Sequence, residues 1–284
     1  MATGEAVPPA HRRYRRPMAR RQYHQFCPVA KALDLLGERW TLLVVRELTT
    51  GPKRYSELRR ALTGMASNLL AVRLDQLVEA GYVERLEDDP PGRHHRYALT
   101  TRGRALREVL AALTRHGIHR LGLPDDDEPL LTHLLPESLA AMIRPEELDD
   151  GPLTIRFALD ETDTTLEIAP AGPPGRRRPA LDRITPHVAR ATLGDGPPRP
   201  APGAPSLPPA DVTVRGSIAA VLWVRRGDMS LDDAVAAGLL ELTGSRDAVE
   251  KVANLYSPEP PSAYEVASPG ARGGSGTSAG DTAA

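Results

Sequence analysis

The 284-residue sequence predicts an α+β protein in two parts, a mostly helical first part with one β-hairpin and a smaller mixed second part. Three observations carry that prediction. The length exceeds one ordinary domain, so two are expected. The apolar period is helical from Pro28 to about residue 80, switches to a hairpin, returns to helix, and alternates as strands beyond residue 150. The charge divides along the same line. Residues 11–122 hold 22 Lys and Arg against 11 Asp and Glu, a balance of +11, and the remainder holds 14 against 26, or −12.

A basic module joined to an acidic one implies that only the first meets a polyanion, nucleic acid foremost. Residues 1–24 are rich in Pro and Arg without periodicity and read as a flexible basic arm. No run of eighteen apolar residues is present, so no membrane insertion is expected. The start "MATGEAVPPAHRRYRRP" lacks the apolar stretch of a secretory signal, and a cytoplasmic, nucleoid-associated location is expected. Cys27 is the one cysteine, which excludes an internal disulfide and a cysteine-built zinc site.

Within the first part, "PVAKALDLLG" and "RWTLLVVRELTTG" read as two helices, each closed by a glycine. "RYSELRRALTG" is a short third helix, with Ser56 or a neighbour as cap and Leu58 and Leu62 as its core pair. The fourth, within "GMASNLLAVRLDQLVEAG", takes Ser67 as its N-cap. "YVERLED" and "RYALT" form a β-hairpin around "DDPPGRHH". Thr100 or Thr101 caps a last helix with Leu106, Val109, Leu110 and Leu113 as its apolar stripe. Three helices, a reading helix and a hairpin in this order make residues 25–122 a winged helix-turn-helix domain, mostly α with a β-hairpin wing.

The fourth helix puts Leu70, Leu74, Leu77 and Val78 on one side and leaves Asn68, Leu69, Val72 and Gln76 opposite, flanked by Arg73 and Asp75. A helix that lies in a major groove cannot present a carboxylate-rich face to phosphates, and this outer face is poor in carboxylates. Asn68 can pair with adenine, Leu69 or Val72 can touch a thymine methyl, and Ser67 can reach a phosphate. Lys53 and Arg54 are further phosphate candidates. Arg93, His94, His95 and Arg96 at the hairpin tip can follow the backbone or enter the minor groove.

The strings "CPVAKALDLLGERWTLLVVRELTTGPKRYSELRRALTGMASNLLAVRLDQLVEAGYVERL" and "YALTTRGRAL" resemble the HxlR-type winged helix-turn-helix transcriptional regulators over about residues 25–120. That resemblance implies a homodimer, paired through the first helix and the helix after the wing, on inverted-repeat operators in double-stranded DNA. Relatives often carry Ser-Pro-Lys where this chain has Ser67-Asn68-Leu69, so their base preference does not transfer. The resemblance also offers Cys27 as a redox sensor. Its place before a helix N-terminus and beside a basic arm favours the thiolate. The plainer reading, a small residue packed at a helix start, is preferred.

Beyond the acidic break "LPDDDEP", residues 125–256 read as a helix, a strand pair, a third strand, and helices. Residues 170–210 read as a Pro-rich insertion and 257–284 as a disordered tail. The end "GDMSLDDAVAAGLLELTGSRDAVEKVANLY" resembles sterol-carrier-protein-like domains. This implies a small α+β fold around an apolar cavity able to hold a lipophilic small molecule. Val221, Leu222, Trp223, Val235, Leu239 and Leu242 line that cavity or, more simply, form the core. His116, His119 and His133 lack carboxylates at ligand spacing, so no metal or cofactor is expected. No phosphate loop, nucleophile elbow or paired-acid motif is present, and no enzyme is expected. The sequence therefore reads as an operator-binding repressor, modulated by a lipophile or by the thiol of Cys27. A lipid carrier and a non-specific DNA-binding protein are the alternatives.

Overall fold

A computed structural model describes residues 22–87, 95–122, 131–143, 151–172, 180–188 and 207–258. It divides into two compact units. One gathers the chain up to Thr114 with His133–Ala141, and the other Arg115–Thr132 with the chain from Met142 on.

In the first unit, α1 (Pro28–Leu36) and α2 (Thr41–Thr49) lead to the short β1 (Lys53–Arg54). Then come α3 (Tyr55–Ala61), α4 (Ser67–Glu79) and the hairpin strands β2 (Val83–Glu87) and β3 (His95–Leu99). The short α5 (Thr101–Arg104) precedes α6 (Leu106–Gly117). β1 and β2 flank β3 in an antiparallel sheet, with Val83 opposite Leu99. This is a winged helix-turn-helix. The expected hairpin tip at Arg93 and His94 lies outside the described residues.

Apolar spacing accounts for the core. Val44, Val45 and Leu48 of α2 meet Leu58 and Leu62, then Leu70, Leu74 and Leu77 of α4, and Val83, Tyr97 and Leu99 of the sheet. The caps differ in part from expectation. Ser67 is the first helical residue of α4 rather than its cap; Ala66 takes the cap position and offers no side-chain bond. The backbone N–H of Arg54 donates to Glu57 Oε2 at 2.6 Å, so Glu57 secures the start of α3. Thr100 caps α5 by accepting from the Gly103 N–H at 3.1 Å. A Cβ on Gly103 would lie 2.0 Å from the Tyr82 carbonyl oxygen, so only glycine lets α5 close on the end of α4.

Most of α7 (Leu135–Met142) belongs to the first unit. Arg107 of α6 donates to Glu137 at 3.0 Å, and His133 lies 2.8 Å from Glu47 Oε2. Glu47 is fully buried on α2. Burial alone would raise its pKa, but the hydrogen bond from His133 and the charges of Lys53, His133 and Arg46 outweigh it and hold the carboxyl at about 2.

The second unit is a five-stranded sheet in the order β6-β5-β4-β7-β8. The strands are β4 (Leu153–Leu159), β5 (Thr162–Ile168), β6 (Ile184–Val188), β7 (Val212–Gly216) and β8 (Leu240–Gly244). β4 pairs parallel with β7, and the other neighbours are antiparallel. Strict alternation in β4 sends Leu153, Ile155, Phe157 and Leu159 to one face, where Ile155 stands beside Leu166 and Val212. β6 is the departure, a strand inside the stretch read as a Pro-rich insertion. Its Pro186 is tolerated because β6 is an edge and an edge can leave one ladder position undonated.

Helices α8 (Ile218–Arg226), α9 (Leu231–Ala236) and α10 (Arg246–Tyr256) begin at Ser217, Ser230 and Ser245, each of which accepts an N–H from the first turn. Tyr256 of α10 meets Phe157 edge-on, with centroids 5.6 Å apart. Burial pushes its hydroxyl pKa up. Beside it the buried Arg225 donates to the carbonyls of Met142 at 2.9 Å and Ser257 at 3.0 Å. No helix among the described residues is long and apolar enough to cross a membrane.

Candidate nucleic-acid interface

The surface begins at the N-terminal half of α4. Ser67 and Asn68 are exposed, and Val72 and Gln76 are half-buried; Leu69, expected on the same face, packs instead against the core beside its neighbour Leu70. The Tyr55 hydroxyl donates to the Ser67 carbonyl at 2.6 Å, which ties the start of α4 to α3. Asn68 and Val72 thus stand on the outer side, clear of the core made by Leu70, Leu74 and Leu77.

Beside α4, the sheet pairs Arg54 of β1 directly with Arg96 of β3, and both are exposed. Two arginines at directly opposed positions add positive charge to this part of the sheet. His95 is half-buried against Tyr97, its Nε2 3.0 Å from the hydroxyl and the rings edge-to-face at 5.0 Å. Arg85 pairs with Asp75 of α4 and lies over the Tyr97 ring at 5.9 Å. The wing strand and reading helix are thereby braced.

Two expected contacts are corrected. Arg73 is only 5% exposed. It sits three residues after Leu70 and four before Leu77, so the helical period turns it toward the core. Its guanidinium is committed to Glu38, the Arg39 carbonyl and Gln76. Lys53 is turned inward as well, donating to Thr50 Oγ1 at 2.6 Å and to Glu47. Burial lowers the Lys53 pKa, opposed by the Glu47 carboxylate. Neither side chain faces a phosphate. The sequence reading passed over Arg59 and Arg60, exposed on α3 beside the reading helix. Their adjacency within a basic window was the available signal.

Cys27 is half-buried at the N-cap of α1, with its carbonyl accepting from the Lys31 N–H at 3.0 Å. Apolar side chains on two helices of this unit are uncovered. Val29 and Leu33 of α1 are 65% and 41% exposed, and Val109 and Leu113 of α6 are 41% and 48% exposed.

Residues 35–122 match the model of the HxlR-like helix-turn-helix family. YvaP of Bacillus subtilis, an HTH-type transcriptional regulator, is 36% identical over 93 residues, which cover 32% of this chain and 85% of YvaP. The chain belongs to the HxlR-like family. An HTH-type transcriptional regulator of Mycobacterium tuberculosis (strain H37Rv) is 38% identical over 105 residues, 37% of this chain. The chain spans 66% of that relative's length. The reduced form of the regulator YodB from B. subtilis aligns at 32% identity with a TM-score of 0.30, covering 36% of this chain and all of YodB. Its HxlR-like relatives are transcriptional regulators. The match ends at residue 122, so the five-stranded sheet of the second unit lies outside it.

Proposed function

We propose that this HxlR-like chain is a repressor that binds an inverted-repeat operator in double-stranded DNA as a homodimer. The carrying observation is the outer face of α4, where exposed Asn68 and half-buried Val72 and Gln76 stand, with Arg54 and Arg96 paired in register on the sheet. Such a face offers amide and methyl groups to base edges, and cations to the phosphates on either side.

Pairing is supported by the uncovered apolar residues of α1 and α6, spaced i, i+4 on each helix. A two-fold pair would set the two copies of α4 roughly 34 Å apart, one helical turn of duplex. Cys27 caps the helix that carries one of these faces, so a bulky adduct on its thiol would disturb the pairing. The second unit, read as sterol-carrier-like, would take a lipophilic small molecule and bias the same geometry. Any such ligand must change operator affinity by the coupling free energy it itself gains.

The test is nuclease footprinting on the promoter region beside the chain's own coding sequence. A protected inverted repeat, weakened by Asn68→Ala, is the expected result. Equal retention on every duplex would leave only non-specific binding, and tight lipophile uptake without any footprint would favour a carrier.

A further inference from the structure

We propose that Arg73 is a positioning residue that sets the angle of α4 against the α1–α2 turn and through it the base discrimination of the protein. The inference rests on α4 being the DNA-reading helix. Arg73 spends its three nitrogens on three separate acceptors. Nε donates to the Arg39 carbonyl at 3.2 Å, Nη1 to Gln76 Oε1 at 2.8 Å, and Nη2 to Glu38 Oε2 at 2.6 Å. Glu38 and Arg39 lie 35 and 34 residues upstream, immediately past the end of α1.

A guanidinium in this place is costly to desolvate, and among Leu70, Leu74 and Leu77 an apolar side chain would pack as well or better. What an arginine adds is direction. Its planar fork holds the middle of α4 to one backbone carbonyl and one carboxylate at fixed angles, which a leucine cannot do. The turn it grips is itself stiff. Trp40 holds φ 78°, an uncommon conformation for an aromatic residue. The Thr41 N–H closes the turn on the Glu38 carbonyl at 3.1 Å, and the Arg39 guanidinium lies over the Trp40 ring at 5.5 Å.

Two consequences follow. The helix with the uncovered apolar face, α1, runs into the turn that holds α4, so a shift in subunit pairing would reach the reading helix through Arg73. The clamp also fixes Gln76. A guanidinium only donates, so the Gln76 amide must turn its oxygen inward, leaving its NH2 as the group available outward. Gln76 can then donate to a base acceptor, with one lone pair of its oxygen already taken by Arg73.

The experiment measures binding of the full chain to its footprinted operator and to a scrambled duplex across a salt series, with thermal unfolding alongside. Arg73→Ala is expected to lower the operator preference on the order of tenfold, the usual scale for breaking a contact network. Affinity for the scrambled duplex and the salt slope should stay at wild-type values. Glu38→Gln, which keeps an acceptor on a partly exposed position, should give a smaller loss in the same direction and serves if Arg73→Ala does not fold. Combined, the two changes should be less than additive.

A salt slope reduced by about one per subunit would instead put Arg73 on a phosphate and overturn the proposal. So would a folded variant with unchanged operator preference, or one weakened equally on both duplexes. If the wild-type protein prefers no duplex, the reading of α4 fails and takes this inference with it. If it does prefer one, a null result in the folded variants fails the inference alone.

Discussion

The two units differ in how completely each satisfies itself. Of the nine large hydrophobic residues left exposed among the described residues, seven lie in the winged-helix unit: Tyr23, Phe26, Val29, Leu33, Leu43, Val109 and Leu113. The second unit leaves Leu121 and Val235. Its sheet buries one apolar face under helices whose first turns are capped by serines, as a self-sufficient fold does. The winged-helix unit instead keeps apolar stripes on α1 and α6 in water, a cost that a partner copy would remove.

The largest expected effect breaks that contrast directly. Charging the stripe with Val29→Glu and Leu33→Glu should convert the dimer to monomer in sedimentation, and operator affinity should drop by more than about a hundredfold because one half-site remains. A dimer that survives would move the pairing surface elsewhere. Next, Phe157→Ala should cost about 3–5 kcal/mol in urea unfolding of the second unit. The footprint should be unchanged, since the cavity lies in the unit to which the proposal gives no contact with DNA.

Glu47 gives a pH signature to the winged-helix unit. Its carboxyl is held at about 2, against 4.5 for the ordinary group. A depressed pKa means that the stabilisation is present above the unfolded-state value and disappears as pH falls from about 4.5 through about 2. That is roughly 3 kcal/mol, and Glu47→Gln should flatten the acid limb of the unfolding profile of this unit. An acid limb unchanged by the substitution would show that the His133 and Lys53 contacts contribute nothing.

Two smaller effects sharpen the reading surface. Asn68→Ala should cost about 1–3 kcal/mol of discrimination at one operator position with the salt slope intact. Arg96→Gln should act in the opposite way, lowering the slope by about one per subunit at every sequence. Measured on the same duplexes, the pair separates base reading from phosphate anchoring.

Much of the fold was legible because burial leaves a period in the chain. Leu70, Leu74 and Leu77 gave the inward side of α4, and the alternation in "LTIRFAL" gave β4. β6 was obscured because the prolines of the surrounding stretch resemble a linker, and only its pairing with β5 shows that an edge position accommodates Pro186. The interface was half legible. Asn68 and Val72 followed from the helical period, whereas the outward places expected for Arg73 and Lys53 rested on charge alone. Each had a partner the local pattern could not reveal.

The sequence by itself determined the helices and hairpin of the winged-helix unit, the outward place of Asn68 on α4 and the segregation of charge, since periodicity and composition are properties of neighbouring residues. Only the tertiary structure decided which charges turn inward. Arg73 finds Glu38 across 35 residues and Glu47 finds His133 across 86. A buried ion is tolerated only where such a partner is brought to hydrogen-bond distance, and that proximity exists once the chain has folded.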